Sequence, residues 1–158
     1  MKKNPEERFW SHVDKSGDCW LWTGGVTEGG YGQFRLGKKV VYVHRYSYAL
    51  ANGPIPPGLE IDHRPTCPKR CVRDGHLRAA THKQNMENRA GSQSNNASSG
   101  VRGVYWEKRW GGKWVARVKH HGVYHYNGSY QDLADAEAAA IELRKRLFTH
   151  NDMDRDIA

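Results

Sequence analysis

The stretch "IDHRPTCPKRCVRDGHLRAATHKQN", residues 61–85, decides how this chain folds and what it can do. It packs three histidines, two cysteines, two aspartates and an asparagine into one run. An ordinary surface loop has no need of such a set, because these are the side chains that hold metals and move protons. With the two residues before it, the run opens as "LEIDH" (59–63), which reads as a strand. It closes as "THKQN" (81–85), which opens a helix. Thr81 serves there as N-cap, and Gln84 completes a capping box three residues on. Asn85 then faces back toward the strand.

Between strand and helix lies a loop with a metal-ligand signature. Cys67 and Cys71 are four positions apart, and His76 follows five later. Cys19, far upstream, completes the chain's three cysteines. Zinc prefers four Cys and His ligands in a tetrahedral structural site, and these residues can supply them. Three cysteines can also be small buried hydrophobes. "RPTCPKRC" (64–71) is too polar and Pro-rich for a core strand, which favours the metal.

A strand carrying Asp62-His63, a loop, and a helix carrying Asn85 suit metal-assisted phosphodiester hydrolysis. His63 can take a proton from water near neutral pH. Asp62 and the Asn85 carbonyl offer hard oxygen ligands to Mg2+ or Mn2+. In this order the residues resemble the HNH, or ββα-metal, nucleases, through "CWLWTG", "GYGQF", "HR", "GPIPPGLEIDH", the two cysteines, "HL" and the asparagine, over residues 19–89. The resemblance implies His63 as general base and Asn85 with Asp62 as ligands of the catalytic divalent ion. It implies Cys19, Cys67, Cys71 and His76 as one structural zinc site, as in the His-Cys box branch of homing endonucleases. The middle position, often Asn in HNH enzymes, is His76 here. Where relatives carry Asn-Pro after the second cysteine, this chain has "CVRDGHL". The "HR" match points to Arg45 as a holder of the scissile phosphate.

Outward from this run, the chain reads as an α+β protein in three pieces. Residues 1–90 form the zinc-stapled ββα-metal nuclease domain, 91–100 a linker, and 101–150 a small three-stranded antiparallel sheet packed on one helix. "NPEERFWSHVDK" (4–15) looks like a helix with Asn4 as N-cap and Pro5 at its first position. "HRYSYALANG" (44–53) suits a helix ended by Gly53. "QSNNASSG" (93–100) is polar and lacks apolar periodicity, as a flexible linker does.

After the linker, "VRGVYWEKRW", "GKWVARVKHHG" and "VYHYNGSY" alternate as strands, and "DLADAEAAAIELRKRLF" (132–148) has helical spacing. Alternation puts Arg102, Trp106 and Arg117 on one sheet face, with Val and Ala against the helix. These segments resemble the ethylene-response-factor (Apetala type) DNA-binding domain. That resemblance implies Arg102, Trp106, Lys108, Arg109, Trp114, Arg117 and Lys119 as contacts to double-stranded DNA, with Trp110 less clearly placed.

The totals agree with a polyanionic partner. Across 158 residues, 25 Lys and Arg against 17 Asp and Glu give a net charge of +8. With 37% hydrophobic residues any single core is thin, a composition that calls for a metal or a partner. No apolar run approaches a membrane span and no signal peptide opens the chain, so a cytoplasmic protein of a bacterium or phage-infected cell is expected. The reading is a phage or mobile-element DNA endonuclease that nicks as a monomer or cuts both strands as a homodimer. Two rivals are a non-catalytic DNA-binding regulator on the same scaffold and an RNA-binding module that stacks single-stranded bases.

Overall fold

In the computed structural model, residues 4–89, 91, 96 and 98–155 are described. The chain divides into two compact units, Met1–Asn85 and Met86–Ala158. The first begins with a helix, α1 (Pro5–Trp10), capped as its sequence predicts: the Asn4 side chain accepts from the Glu6 amide. The helix is shorter than the predicted 4–15. His12 leaves it to give its carbonyl to the Thr23 amide, and Val13 enters strand β1 (Val13–Asp14), paired with β2 (Leu21–Trp22). The next hairpin joins β3 (Gln33–Leu36) to β4 (Lys39–Tyr42) through Gly37, whose φ of +62° suits the turn. It leads into α2 (Val43–Asn52), closed by Gly53 at φ +82°.

These elements bury an aromatic core. Phe9 is fully buried, stacked 5.3 Å from Trp22 and edge-on to Phe34 at 5.4 Å, with Val43 and Val72 completing the cluster. Burying one such ring is worth about 1.5–3 kcal/mol, so a small unit leans heavily on Phe9. Gly32 is required beside it. A Cβ there would lie 2.4 Å from Val43 Cγ2 and 2.8 Å from the Trp22 ring.

Strand β5 (Leu59–His63) pairs antiparallel with β6 (Leu77–Thr81), setting Asp62 opposite Arg78 and His63 opposite Leu77. Helix α3 (His82–Glu87) follows at once. The sequence reading lacks β6, because "LRAAT" has neither β-branched runs nor clean alternation. Its strand conformation comes from pairing with β5. The capping box is present: the Thr81 amide donates to Gln84 Oε1 at 2.9 Å, and the Gln84 amide to Thr81 Oγ1 at 3.3 Å.

The second unit is a sheet in the order β7 (Val104–Glu107), β8 (Lys113–His120), β9 (Val123–Tyr130), all antiparallel, with α4 (Leu133–Leu147) packed on it. Part of its core is made of small residues, where Val104 and Ala116 from the sheet meet Ala136, Ala139 and Ala140 from the helix, and a second cluster is built from Val118, Leu143 and Phe148. A short α5 (Asp152–Arg155) adds Asp154, beyond the predicted domain end at residue 150. The expected linker lies partly outside the described residues. Within the part described, Asn96 Nδ2 donates to the carbonyls of Val101 and Val104, and Ser99 Oγ donates to Val104 as well.

Arg144 and Asp154 form a buried ion pair, with Nε and Nη2 each 2.7 Å from a carboxylate oxygen. Burial pushes the Asp154 carboxyl up, but hydrogen bonds and charge from Arg144 outweigh it, and its pKa is lowered overall. A carboxylate lowered in the folded state contributes stability above its unfolded pKa, and that contribution is lost as pH falls through the folded value. Asp154→Asn should therefore cost the second unit about 3 kcal/mol at pH 7. It should also flatten the acid limb of stability below pH ~4, as read by thermal melts of the full chain between pH 3 and 7.

Candidate functional site

The loop between β5 and β6 is pinned by side chains from two distant parts of the first unit. Cys19, Cys67, Cys71 and His76 bring three Sγ atoms and one imidazole nitrogen within 4.8 Å of one another. His76 Nδ1 lies 3.2 Å from Cys67 Sγ, 3.6 Å from Cys19 Sγ and 3.7 Å from Cys71 Sγ. The Cys19 and Cys67 sulfurs are 3.5 Å apart. A tetrahedron of Zn–S bonds near 2.3 Å and Zn–N bonds near 2.0 Å has edges of about 3.5–3.8 Å. The four residues fit it, and the cluster can bind a metal such as zinc. Burial, then the crowding of Cys19 and Cys71, pushes the Cys67 thiol up to about 12. A central cation reverses that balance by favouring the thiolates.

The back of the cluster is also built. His76 Nε2 faces Asp18 Oδ2 at 3.4 Å, while the Arg73 guanidinium bonds the other oxygen of the same carboxylate. An imidazole whose second nitrogen meets a carboxylate is held with the first aimed at the metal. Asp18 has no part in the sequence reading, since nothing in "SGDCW" singles it out, and Arg73 enters that reading only as a turn residue. The main chain adds an antiparallel bridge between Leu21 and Cys71, and the Val72 amide donates to the Trp20 carbonyl.

His63 is tied to this cluster through the backbone. Its Nε2 lies 3.1 Å from the Cys71 carbonyl. A carbonyl only accepts, so Nε2 carries the proton and the lone pair of the neutral ring lies on Nδ1. Burial pushes the His63 pKa down, against smaller opposing effects of the Cys71 bond and Asp62, so the ring is neutral near pH 7. Its neighbours are aromatic: His44 at 4.9 Å and Tyr31 at 6.5 Å between ring centroids. His44 is itself pushed down to about 3 by burial, with His63 and Arg45 adding to the effect.

The oxygen donors lie on the other face of β5. Strand parity puts Glu60 and Asp62 together and separates them from buried Ile61. Arg78 donates to Asp62 Oδ2 from Nη2 at 3.2 Å across the hairpin. Asn85 Nδ2 donates to Glu60 Oε2 at 2.5 Å, and His82 Nδ1 meets Glu60 Oε1 at 2.9 Å. These hydrogen bonds, Asn85's first, lower the Glu60 pKa, and the charge of Arg45 acts in the same direction. The Asp62 carboxylate and the Asn85 carbonyl are hard oxygen donors of the kind a divalent cation takes, while both oxygens of Glu60 are engaged by α3. Glu60 is absent from the sequence reading, although its place two residues before Asp62 on a strand was a usable signal.

In the second unit the sheet sorts the predicted DNA contacts in two. β8 turns Arg117 and Lys119 away from α4, beside Tyr105 and Tyr124. The Arg117 guanidinium lies 4.5 Å from the Tyr105 ring centre and 4.3 Å from that of Tyr124, and Lys119 Nζ lies 5.3 Å from Tyr124. Tyr126 flanks the same face and is exposed. A cavity of about 370 Å³ continues it, lined by Arg109, Lys113 and Glu107 among others.

Trp106 and Trp114, paired across the strands and 4.8 Å apart, share the parity of Val104 and Ala116 and so belong to the helix side. The expectation that groups Trp106 with Arg117 is thereby corrected. Two residues on different strands share a face only if register allows it, and the sequence does not show register. Lys108 precedes the 3-10 turn Arg109–Gly111 at the sheet's end. Arg102 is also corrected. Its guanidinium donates to the carbonyls of Glu87, Arg89 and Met86 at 2.9, 2.6 and 3.0 Å, so it ties the start of the unit together.

Comparison with known proteins agrees with the nuclease half of this picture. Residues 41–87 match the HNH endonuclease family, a span that includes β5, the Cys/His loop, β6 and α3. Protein 7.7 of Escherichia phage T7 is 41% identical over 70 residues, 44% of this chain and 53% of that protein. The chain thus spans about half the length of that relative. Protein 3.8 of the same phage is 35% identical over 107 residues, 66% of this chain and 82% of that protein. No solved structure matches. Among the described residues no helix is long and apolar enough to cross a membrane.

Cys71→Ser tests the cluster directly. It should release the bound metal and lower the melting temperature of the first unit, measured by metal analysis and calorimetry on the full chain. A fully metal-loaded variant with an unchanged melt would remove the cluster from the fold's support.

Proposed function

The chain belongs to the family of Protein 3.8 of Escherichia phage T7 and carries an HNH endonuclease domain, and from this we propose that it is a metal-dependent endonuclease acting on duplex DNA. The observation that supports the proposal is that the residues matching the HNH family include β5, β6 and α3, the elements that carry Asp62, His63 and Asn85. Cys19, Cys67, Cys71 and His76 would hold a structural zinc that keeps the scaffold folded. Asp62 and Asn85 would hold the catalytic cation, Mg2+ or Mn2+, which would supply stabilisation of the charge that develops on the phosphate oxygens and on the departing oxygen.

His63, fixed through Cys71, accepts a proton from the attacking water. The water oxygen bonds to phosphorus, the bond from phosphorus to the 3′ oxygen breaks, and that oxygen leaves to take a proton. The products carry a 5′-phosphate and a 3′-hydroxyl. Arg45, on α2 and within electrostatic range of Glu60, steadies the scissile phosphate.

The second unit supplies a DNA-binding surface of the ethylene-response-factor type. Its outward sheet face, with Arg117 braced between tyrosines and Lys119 alongside, suits a groove: cations meet phosphates and a planar guanidinium meets a guanine edge. One site cuts one strand, so the monomer nicks. Its relatives in a phage support action in an infected host cell.

A nicking assay on supercoiled plasmid with Mg2+ tests the reaction. Wild type should relax the plasmid, EDTA should stop it, and His63→Ala should lose about a hundredfold or more in rate while still binding DNA. A fully active His63→Ala would sink the base assignment. In gel shifts at two salt concentrations, Arg117→Ala should weaken duplex binding about tenfold with an unchanged melt. Arg102→Ala should instead lower the melting temperature, because its partners are backbone carbonyls of its own unit.

A further inference from the structure

An asparagine is an ambiguous metal ligand. Its side chain ends in a carbonyl oxygen that can bind a cation and an amino group that cannot, and the two are nearly the same shape. Unless something holds the amino end, either can face the metal.

Glu60 is placed to remove that ambiguity. Its Oε2 receives Asn85 Nδ2 at 2.5 Å. A carboxylate only accepts, so the group facing it is the amino end, and Oδ1 is turned to the opposite side. The other oxygen, Oε1, meets His82 Nδ1 at 2.9 Å. His82 and Asn85 are three residues apart on α3, so they share one helix face, and the Thr81–Gln84 capping box fixes where that helix starts. Glu60 sits opposite Ala80 in the β5–β6 register, directly across from the helix entry. One carboxylate thus clips the strand to two residues of the helix.

We propose that Glu60 is a positioning residue that orients the Asn85 amide so that its carbonyl oxygen is presented to the divalent cation, while Glu60 itself stays outside the coordination shell. This rests on the reading of Asn85 as a cation ligand. Residues that orient metal ligands in this way commonly change metal affinity by ten- to a hundredfold when removed.

The test measures Mn2+ binding by electron paramagnetic resonance on the zinc-loaded full chain, with a thermal melt of each variant. Glu60→Ala should weaken Mn2+ binding about tenfold with a melt close to wild type. Glu60→Gln should stay within about threefold of wild type, because its carbonyl can accept from Asn85 while its amino group donates to His82. Asn85→Asp has no amino end to misdirect, so adding Glu60→Ala to it should cost nothing further. Equal losses in Glu60→Gln and Glu60→Ala would overturn the proposal in favour of a role for the charge. So would a further loss in the double variant, or wild-type binding by Glu60→Ala alongside lost binding by Asn85→Ala. Undiminished binding by Asn85→Ala would instead remove the ligand reading itself, and the proposal with it.

Discussion

The arrangement of the first unit hangs on the four-residue Cys/His cluster. The loop from Arg64 to His76 is polar and Pro-containing, with little apolar surface to hold it down, yet it must carry a buried Val72 into the aromatic core. Cys67, Cys71 and His76 bind it to Cys19, and so to the segment leading into β2. The same segment then forms the Leu21–Cys71 bridge and the Trp20–Val72 hydrogen bond. Closing a loop of this kind by metal ligation would substitute for the hydrophobic burial that a lean sequence lacks.

That constraint reaches the chemistry through one atom. The carbonyl of Cys71, a cluster residue, is the partner of His63 Nε2. Anything that moves Cys71 moves the imidazole or changes which nitrogen bears its proton. The Cys/His cluster and the candidate base are therefore coupled, and the oxygen donors on the other face of β5 are set by the same strand. A scaffold this small can carry both because alternate residues of one strand face opposite ways.

The second unit solves a different problem. One part of its core is built from alanines and valine, which allow close approach of α4 to the sheet but bury little area per residue, and Leu143 and Phe148 supply larger side chains in the other. The buried Arg144–Asp154 pair, whose Arg144 Nη1 also bonds the Arg102 carbonyl, fastens the C-terminal segment to that core. Meanwhile the opposite sheet face keeps its cations braced by tyrosines and turned outward. Positive charge is thus divided between fastening the fold and facing outward, although in sequence the arginines look alike.

The residues of 61–85 were legible without a structure because their chemistry is local. A capping box is read from Thr81 and Gln84 alone, and Cys67, Cys71 and His76 lie within ten residues of one another. The α4 helix was legible because its alanines and leucines repeat at helical spacing, and the strands of the second unit because they alternate between glycine turns. Tertiary structure decided the remainder. The strand at Leu77–Thr81 exists because β5 offers it a partner. Trp106 parts from Arg117 because register, which is a relation between strands, sets which face each occupies. Arg102 is a fastener because carbonyls of Met86, Glu87 and Arg89 happen to converge on it. Glu60 matters because pairing carries it to Asn85, twenty-five positions away. Local patterns determine which elements form; long-range pairing determines which side chains meet, since that depends on distances no single segment contains.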